Sequence, residues 1–250
     1  MRKQFVRTKN LAALELGIEM LKDCGAREAR WMLATGRPGE GKTTTLFNLG
    51  SRLKAVFVTA KQGWTPGQMI RALALDMNVF PGRDADTTLG EWLSKPGEDG
   101  KIIIIDEAQF ALANRAACLE RLRGITDKSG TPVILVAMQE DVESFGRHEQ
   151  ISSRIFNWVK FEGASREDIA NACQQLAEVQ IAADLVERIH IETDGRMRNV
   201  IKAISRIEMA AKGLGKEAVG AADMRKTKLV EDYRLGLPRL APKATARGHA

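Results

Sequence analysis

The chain has 250 residues, of which 44% are hydrophobic, 28% charged and 5% aromatic, a make-up suited to one large or two small water-soluble domains of helices packed on a sheet. No apolar run approaches the roughly 20 residues of a membrane helix, and no apolar block with a cleavage site follows the basic start, so neither a membrane span nor a secretory signal is expected. Cys24, Cys118 and Cys173 are odd in number and form no CxxC, which argues against a disulfide framework or zinc knuckle and for a reducing cytoplasm. The net charge of +6 is unevenly placed: residues 1–9 carry +4, residues 225–250 carry +5, and the body between them is mildly acidic at −3. Two basic ends on an acidic body read as cationic arms able to contact a polyanion.

In chain order, apolar positions at Leu11, Leu14, Ile18 and Leu21 predict a helix over 10–22, with Asn10 as its N-cap. The period then changes. Ala29 to Thr35, Ala55 to Ala60, Lys101 to Asp106, Pro132 to Met138 and Trp158 to Phe161 are short apolar runs separated by helical patterns, the first followed by a helix over 42–53. Five such runs predict crossover connections and a parallel sheet covered on both faces, hence a three-layer α/β/α domain. From about Gly163 the strand signal stops and helices are expected over 166–179, 183–192 and 197–212, the first opened by a Ser165/Asp168 capping box. The expected organisation is an α/β domain over 1–162 with a basic arm at 1–9, a small helical domain over 163–220, and a basic, partly disordered tail over 221–250.

Gly36-Arg37-Pro38-Gly39-Glu40-Gly41-Lys42-Thr43 matches GxxxxGK[ST] between a strand and a helix, the context its mechanism requires. Backbone amides of a glycine-rich turn and a helix N-terminus attract phosphate oxygens, so residues 36–43 with Thr44 are expected to bind a nucleoside triphosphate, Lys42 at the β and γ phosphates. Thr43 offers a hydroxyl to Mg²⁺, a hard ion that prefers oxygen. Ile102 to Ile105 deliver Asp106 and Glu107 at the end of a buried strand. Asp106 is the second Mg²⁺ candidate, and Glu107 the residue that orients or deprotonates water. ATP and Mg²⁺ are the cofactors these motifs imply. His148, His190 and His249 are too scattered for a metal cage.

With these two motifs the chain resembles the AAA+ ATPases over about residues 8–215. The resemblance implies a P-loop AAA+ domain with a five-stranded parallel sheet, followed by a helical lid. It assigns Gln139 after the fourth strand as first sensor of the γ phosphate. Arg154 in Ile151-Ser152-Ser153-Arg154 becomes a finger toward a neighbouring subunit, with Arg147 in reserve, and Arg198 in Gly195-Arg196-Met197-Arg198 the second sensor acting in cis. The short body, the Asp106-Glu107-Ala108-Gln109 run and the Val136 to Glu140 segment look most like the phage Mu B type of transposition ATPase. That likeness implies a homo-oligomer or helical filament on duplex DNA, without sequence preference, that delivers target DNA to a transposase in a bacterial host's cytoplasm. The chain is expected to lack the separate N-terminal helix-turn-helix domain of that type, which moves DNA contact to the ATPase body or the basic ends.

By the same resemblance, Lys61, Gln62, Trp64 and Thr65, after the second strand, are the DNA-binding candidates, Lys61 and Thr65 toward phosphates. Trp64 reads equally well as a hydrophobic plug. Arg115, Arg121 and Arg123 are secondary candidates. Two alternatives stand beside this reading: a regulatory AAA+ ATPase of secretion or chaperone type that does not bind DNA, and, less favoured, a helicase, for whose second motor domain the chain leaves little room.

Overall fold

The computed structural model describes residues 1–80, 84–95 and 101–231; Arg234, Arg239, Lys243, Arg247 and the rest of the expected tail beyond 231 lie outside the described residues. Five strands, β1 (Trp31–Gly36), β2 (Val56–Thr59), β3 (Ile103–Asp106), β4 (Val133–Met138) and β5 (Ile155–Lys160), form one sheet in the order β2-β3-β4-β1-β5. Each neighbouring pair is parallel. Helix α1 (Lys9–Asp23) precedes the sheet, and α2 (Lys42–Leu53) joins β1 to β2. α3 (Pro66–Asp76) and α4 (Ala85–Leu93) lie between β2 and β3, α5 (Ala113–Ser129) between β3 and β4, and the short α6 (Val142–Gly146) and α7 (Glu149–Ser152) between β4 and β5.

Strand alternation sorts the apolar runs into two cores. Trp31, Leu33, Ile103, Ile105, Val133 and Leu135 face α3, α4 and α5 in one cluster. Met32, Ala34, Ile102, Ile104, Ile134 and Val136 face α1 and α2 in the other. Runs buried on both faces carry few polar residues, which makes these strands legible as continuous hydrophobic stretches. Each buried aliphatic side chain contributes about 1.5–3 kcal/mol relative to exposure. α1 lies close on the sheet at Gly17, where a methyl group would sit 2.8 Å from Met32 Sδ and 2.9 Å from Val159 Cγ2.

Two local expectations differ from the structure here. α1 starts a residue earlier, with Thr8 as N-cap. Asn10 instead reaches the segment after β5, donating from Nδ2 to Glu162 O at 2.8 Å and accepting from Glu162 N at 3.0 Å. β5 starts at Ile155, three residues before the expected run, because it is an edge strand whose Phe156 and Trp158 are exposed, so its first half lacks a continuous apolar pattern.

Beyond the sheet, α8 (Arg166–Leu176), α9 (Ala183–Thr193) and α10 (Met197–Gly213) form a helical unit with its own core, including Ile169, Ile189, Val200 and Ile204. The capping box of α8 is present: Ser165 Oγ accepts from Asp168 N, and Asp168 Oδ2 accepts from Ser165 N. The unit also holds a two-residue parallel pair, β6 (Gln180–Ile181) with β7 (Ala218–Val219), too short to leave a periodic signal. Residues 221–231, expected in the tail, fold back on it. Met224 and Leu229 are buried in its core, and Arg188 donates to Met224 O and Thr227 O. Among the described residues no helix is long and apolar enough to cross a membrane.

Candidate nucleotide site

The loop from Gly36 to Lys42 leaves β1 and enters α2 at the C-terminal edge of the sheet, where ligands gather in open α/β folds. Gly39 and Gly41 have φ of +90 and +91 degrees, left-handed values that glycine adopts without penalty. Glu40 is 5% exposed and braces the loop from within, accepting from Arg37 N at 2.7 Å and Arg37 Nε at 2.9 Å. Arg37 continues to Asp194 Oδ2 at 3.0 Å, joining the loop to the turn before α10. These two side chains therefore hold the loop's shape, leaving its backbone to contact phosphate.

Lys42 Nζ donates to Gly36 O at 2.6 Å and Arg37 O at 3.1 Å, and lies 3.6 Å from Met138 Sδ. Burial pulls its pKa below the ordinary lysine range. Glu40, Glu107 and Asp106 oppose that shift and Arg198 adds to it, so all four charges lie within reach of the ammonium. Asp106, 4% exposed, has its pKa raised by burial, partly offset by hydrogen bonds from the Thr43 hydroxyl and from Glu107 N at 3.0 Å. A hydroxyl and a buried carboxylate in contact are hard oxygen donors that fit Mg²⁺. Among the described residues no group of three His, Cys, Asp or Glu stands together as a metal cluster. Glu107 is half-buried at φ +53 degrees and accepts from Gln109 Nε2 at 2.6 Å.

Lys42, Thr43 and Glu107 line a cleft of about 700 Å³. One wall is the loop with Thr43, Thr44, Glu107 and Met138; the opposite wall is the helical unit, through Ala164, Leu176, Met197, Arg198 and Ile201. Arg198 is fixed by its backbone N–H, which donates to Gly39 O at 3.0 Å. The third wall is the N-terminal segment, Lys3, Gln4, Phe5, Val6 and Thr8, which the charge pattern marked as a basic arm. It is pinned to the helical unit through its backbone at Arg2, whose N donates to Leu176 O at 2.8 Å, and through the side chain of Gln4, whose Nε2 donates to Gln175 O at 2.7 Å, and Val6 is buried in that unit's core. The sequence signal that could have found this wall is the apolar pair Phe5-Val6 within the charged run.

The remaining candidates lie elsewhere. Gln139 follows β4 as expected but is exposed, and it is the preceding residue, Met138, that approaches Lys42. Arg154 sits at the opposite end of the sheet, where its carbonyl accepts from Trp31 N at 3.0 Å; its guanidinium pairs with Asp127 at 3.0 Å. Lys61 and Gln62 are exposed in the loop between β2 and α3. Trp64 packs on the core beneath α5 as a plug, and Thr65 caps α3, its hydroxyl accepting from Gln68 N and donating to Gln68 Oε1. Arg121 pairs with Asp86 and Arg123 with Glu120, while Arg115 is exposed. Gln62 and Gly63 share a second cavity of about 450 Å³ with Gln109, Phe110, Arg147 and His148, so the tip of that loop adjoins the residue that holds Glu107.

Residues 26–144 match a family model described as an AAA domain. Among solved structures, Cdc6p from Pyrobaculum aerophilum superposes with a TM-score of 0.58 at 22% identity, covering 90% of this chain and 68% of that one. The RuvB Holliday junction branch migration motor of Thermotoga maritima gives 0.56 at 20%, covering 89% and 69%. The Drosophila ORC bound to DNA gives 0.57 at 14%, covering 90% and 68%. No curated protein sequence is similar enough to count as a match. The three-layer sheet domain is thus an AAA+ fold, and at these identities the likeness to the solved structures establishes fold alone.

Proposed function

We propose that this chain is an ATPase that assembles with further copies of itself on duplex DNA and hydrolyses ATP across the boundary between subunits. The observation that carries the reading is the convergence of Lys42, Thr43, Glu107 and Arg198 on one cleft between the sheet domain and the helical unit, with the buried Asp106 hydrogen-bonded to Thr43 behind it. The helical unit then acts as a lid, because it supplies both Arg198 and the apolar wall on which a base can rest. Phosphates replace the Gly36 and Arg37 carbonyls as partners of Lys42, with the amides of residues 39–43 around them. Bound Mg²⁺, held by Thr43 and through Asp106, would neutralise charge on the phosphates. Glu107 orients and deprotonates the attacking water, and Gln109 fixes its carboxylate. Arg198 meets the γ phosphate in cis. Arg154 is about 17 Å from the loop, the rise of the six residues of β1, so it serves the nucleotide of an adjacent copy.

For DNA, the exposed Lys61 and Gln62 support contact with the backbone, which is blind to sequence. The named DNA association of the ORC structure and of the RuvB motor lends the reading weight by analogy only. The finer reading is that the assembled form delivers target DNA to a transposase, in a reducing bacterial cytoplasm that suits three free, buried cysteines. One observation favours the alternative of a regulatory ATPase without DNA: the basic N-terminal segment is built into the nucleotide cleft and so is not a free arm. Fluorescence anisotropy of a labelled duplex, with and without a slowly hydrolysed ATP analogue and at several salt concentrations, separates the two. The DNA reading expects nucleotide-enhanced binding with a negative salt slope; binding indifferent to nucleotide and salt overturns it.

A further inference from the structure

We propose that Asp127 is a positioning residue for Arg154, holding its guanidinium in the orientation that meets the nucleotide of a neighbouring copy. The inference rests on the reading that Arg154 works across a subunit boundary, and it adds a residue on α5 to that function. An arginine side chain gives up rotamer freedom when it is fixed, so a trans-acting group left to solvent would meet its target poorly.

Arg154 is held in advance. Its Nη2 donates to Asp127 Oδ2 at 3.0 Å and its Nη1 to Ser153 Oγ at 2.9 Å. Its backbone is fixed at both ends, through its carbonyl to Trp31 N and through its N–H to Ile151 O, each at 3.0 Å. Asp127 is held in turn: Arg123 approaches the same Oδ2 at 3.6 Å and is braced by Glu120 at 3.0 Å. Glu120, Arg123 and Asp127 follow one another at helical spacings of three and four, so they form one ridge of α5. Both the Arg154 and the Asp127 side chains are 21% exposed, which leaves the pair covered enough to be ordered and open enough for Arg154 to be met from outside. The guanidinium's two partners, one on each terminal nitrogen, use only part of its donor set. The pairing also places one carboxylate between two arginines, so removal of its charge frees Arg154 and sets it against Arg123.

The inference is tested by mixing variants, using nucleotide hydrolysis by the full chain as readout. In a head-to-tail assembly each site takes Lys42 and Glu107 from one copy and Arg154 from the next. Arg154→Ala mixed with Glu107→Gln restores hydrolysis, to about a quarter of the parental rate on random mixing, because one of the four junctions is complete. Asp127→Asn alone lowers turnover roughly 10- to 100-fold, the effect of displacing a reacting group by about 1 Å, with nucleotide affinity unchanged as proof of a folded cleft. Asp127→Asn mixed with Glu107→Gln is restored like Arg154→Ala, Asp127→Asn mixed with Arg154→Ala is not, and Asp127→Glu keeps part of the activity. If the Arg154→Ala and Glu107→Gln mixture stays inactive, the reading of Arg154 is wrong. If that mixture recovers while Asp127→Asn turns over at the parental rate, or while Asp127→Asn loses activity that Glu107→Gln does not restore, the role of Asp127 is overturned and that of Arg154 survives.

Discussion

Gln109 donates its side-chain amide to Glu107 Oε2 at 2.6 Å, and its own Oε1 is buried without a partner. The contact fixes a carboxylate that leaves the sheet on a left-handed residue, φ +53 degrees. Glu107→Gln is expected to bind ATP normally and to stop hydrolysis. Gln109→Ala is expected to lower kcat about 3- to 10-fold with little change in KM, since the interaction it removes orients a reacting group and does not bind substrate. Steady-state phosphate release checks both, and a change confined to KM would remove Gln109 from this role.

Lys42 stands in the cleft with two loop carbonyls as partners and with burial working against its charge. Lys42→Ala is expected to weaken ATP binding at least 100-fold, about 2.7 kcal/mol, while leaving the melting temperature of the nucleotide-free protein undiminished. The two hydrogen bonds that are lost are offset by removal of an ammonium whose charge burial disfavours. Isothermal calorimetry and a thermal melt measure the two effects. A clear loss of stability would mean that the lysine holds the loop together.

The sheet was legible because its central strands are buried on both faces: Ile102 to Ile105 and Val133 to Ala137 read as unbroken apolar runs, and their alternate members face different cores. The loop at 36–43 and the Asp106-Glu107 pair were legible because their chemistry demands fixed residue types at fixed spacing. The cleft's third wall was not. In Met1 to Lys9 four charges conceal Phe5 and Val6, and only the fold shows that the segment crosses to the helical unit. Met224 and Leu229 were hidden in the same way among basic neighbours. The plug reading of Trp64 and the capping of α3 by Thr65 are visible only in the fold, because packing on the core and the partner of a side-chain hydroxyl are not written in the chain order. Asp127 gave no signal, because its partner Arg154 is 27 positions away.

Lys61 and Thr65 lie in one loop yet differ in what they do, and this gives a paired prediction. Lys61 is exposed, so Lys61→Glu is expected to weaken duplex binding and to flatten the salt dependence by about one counterion for each phosphate that the side chain no longer neutralises. Thr65 forms the capping box of α3, so Thr65→Ala costs about 0.5–2 kcal/mol of stability and leaves the salt slope unchanged. Anisotropy titrations over a salt series, with denaturant melts of both variants, tell the two apart. An equal change of slope in both would return Thr65 to the DNA surface.

Phe5 and Arg198 border the same cleft from different elements, and the two nucleotides ATP and ADP distinguish what they touch. Arg198 lies beside Gly39 and near enough to Lys42 to depress its pKa, on the phosphate side. Phe5 packs on the core beneath α1 and α2 and lines the cleft along with Leu176 and Phe47, so a base or sugar has hydrophobic surface there to cover. Arg198→Ala is therefore expected to weaken ATP binding about 10-fold or more, the worth of a charge-assisted hydrogen bond, and ADP binding far less, because the γ phosphate is its partner. Phe5→Ala is expected to weaken ATP and ADP alike by about 10-fold, as removal of a ring interaction worth about 0.5–1.5 kcal/mol plus buried area implies. Competition with a fluorescent nucleotide gives all four ratios. An ATP-selective loss in Phe5→Ala would shift the N-terminal segment to the phosphate side, while equal losses in Arg198→Ala would deny that residue its contact with the γ phosphate.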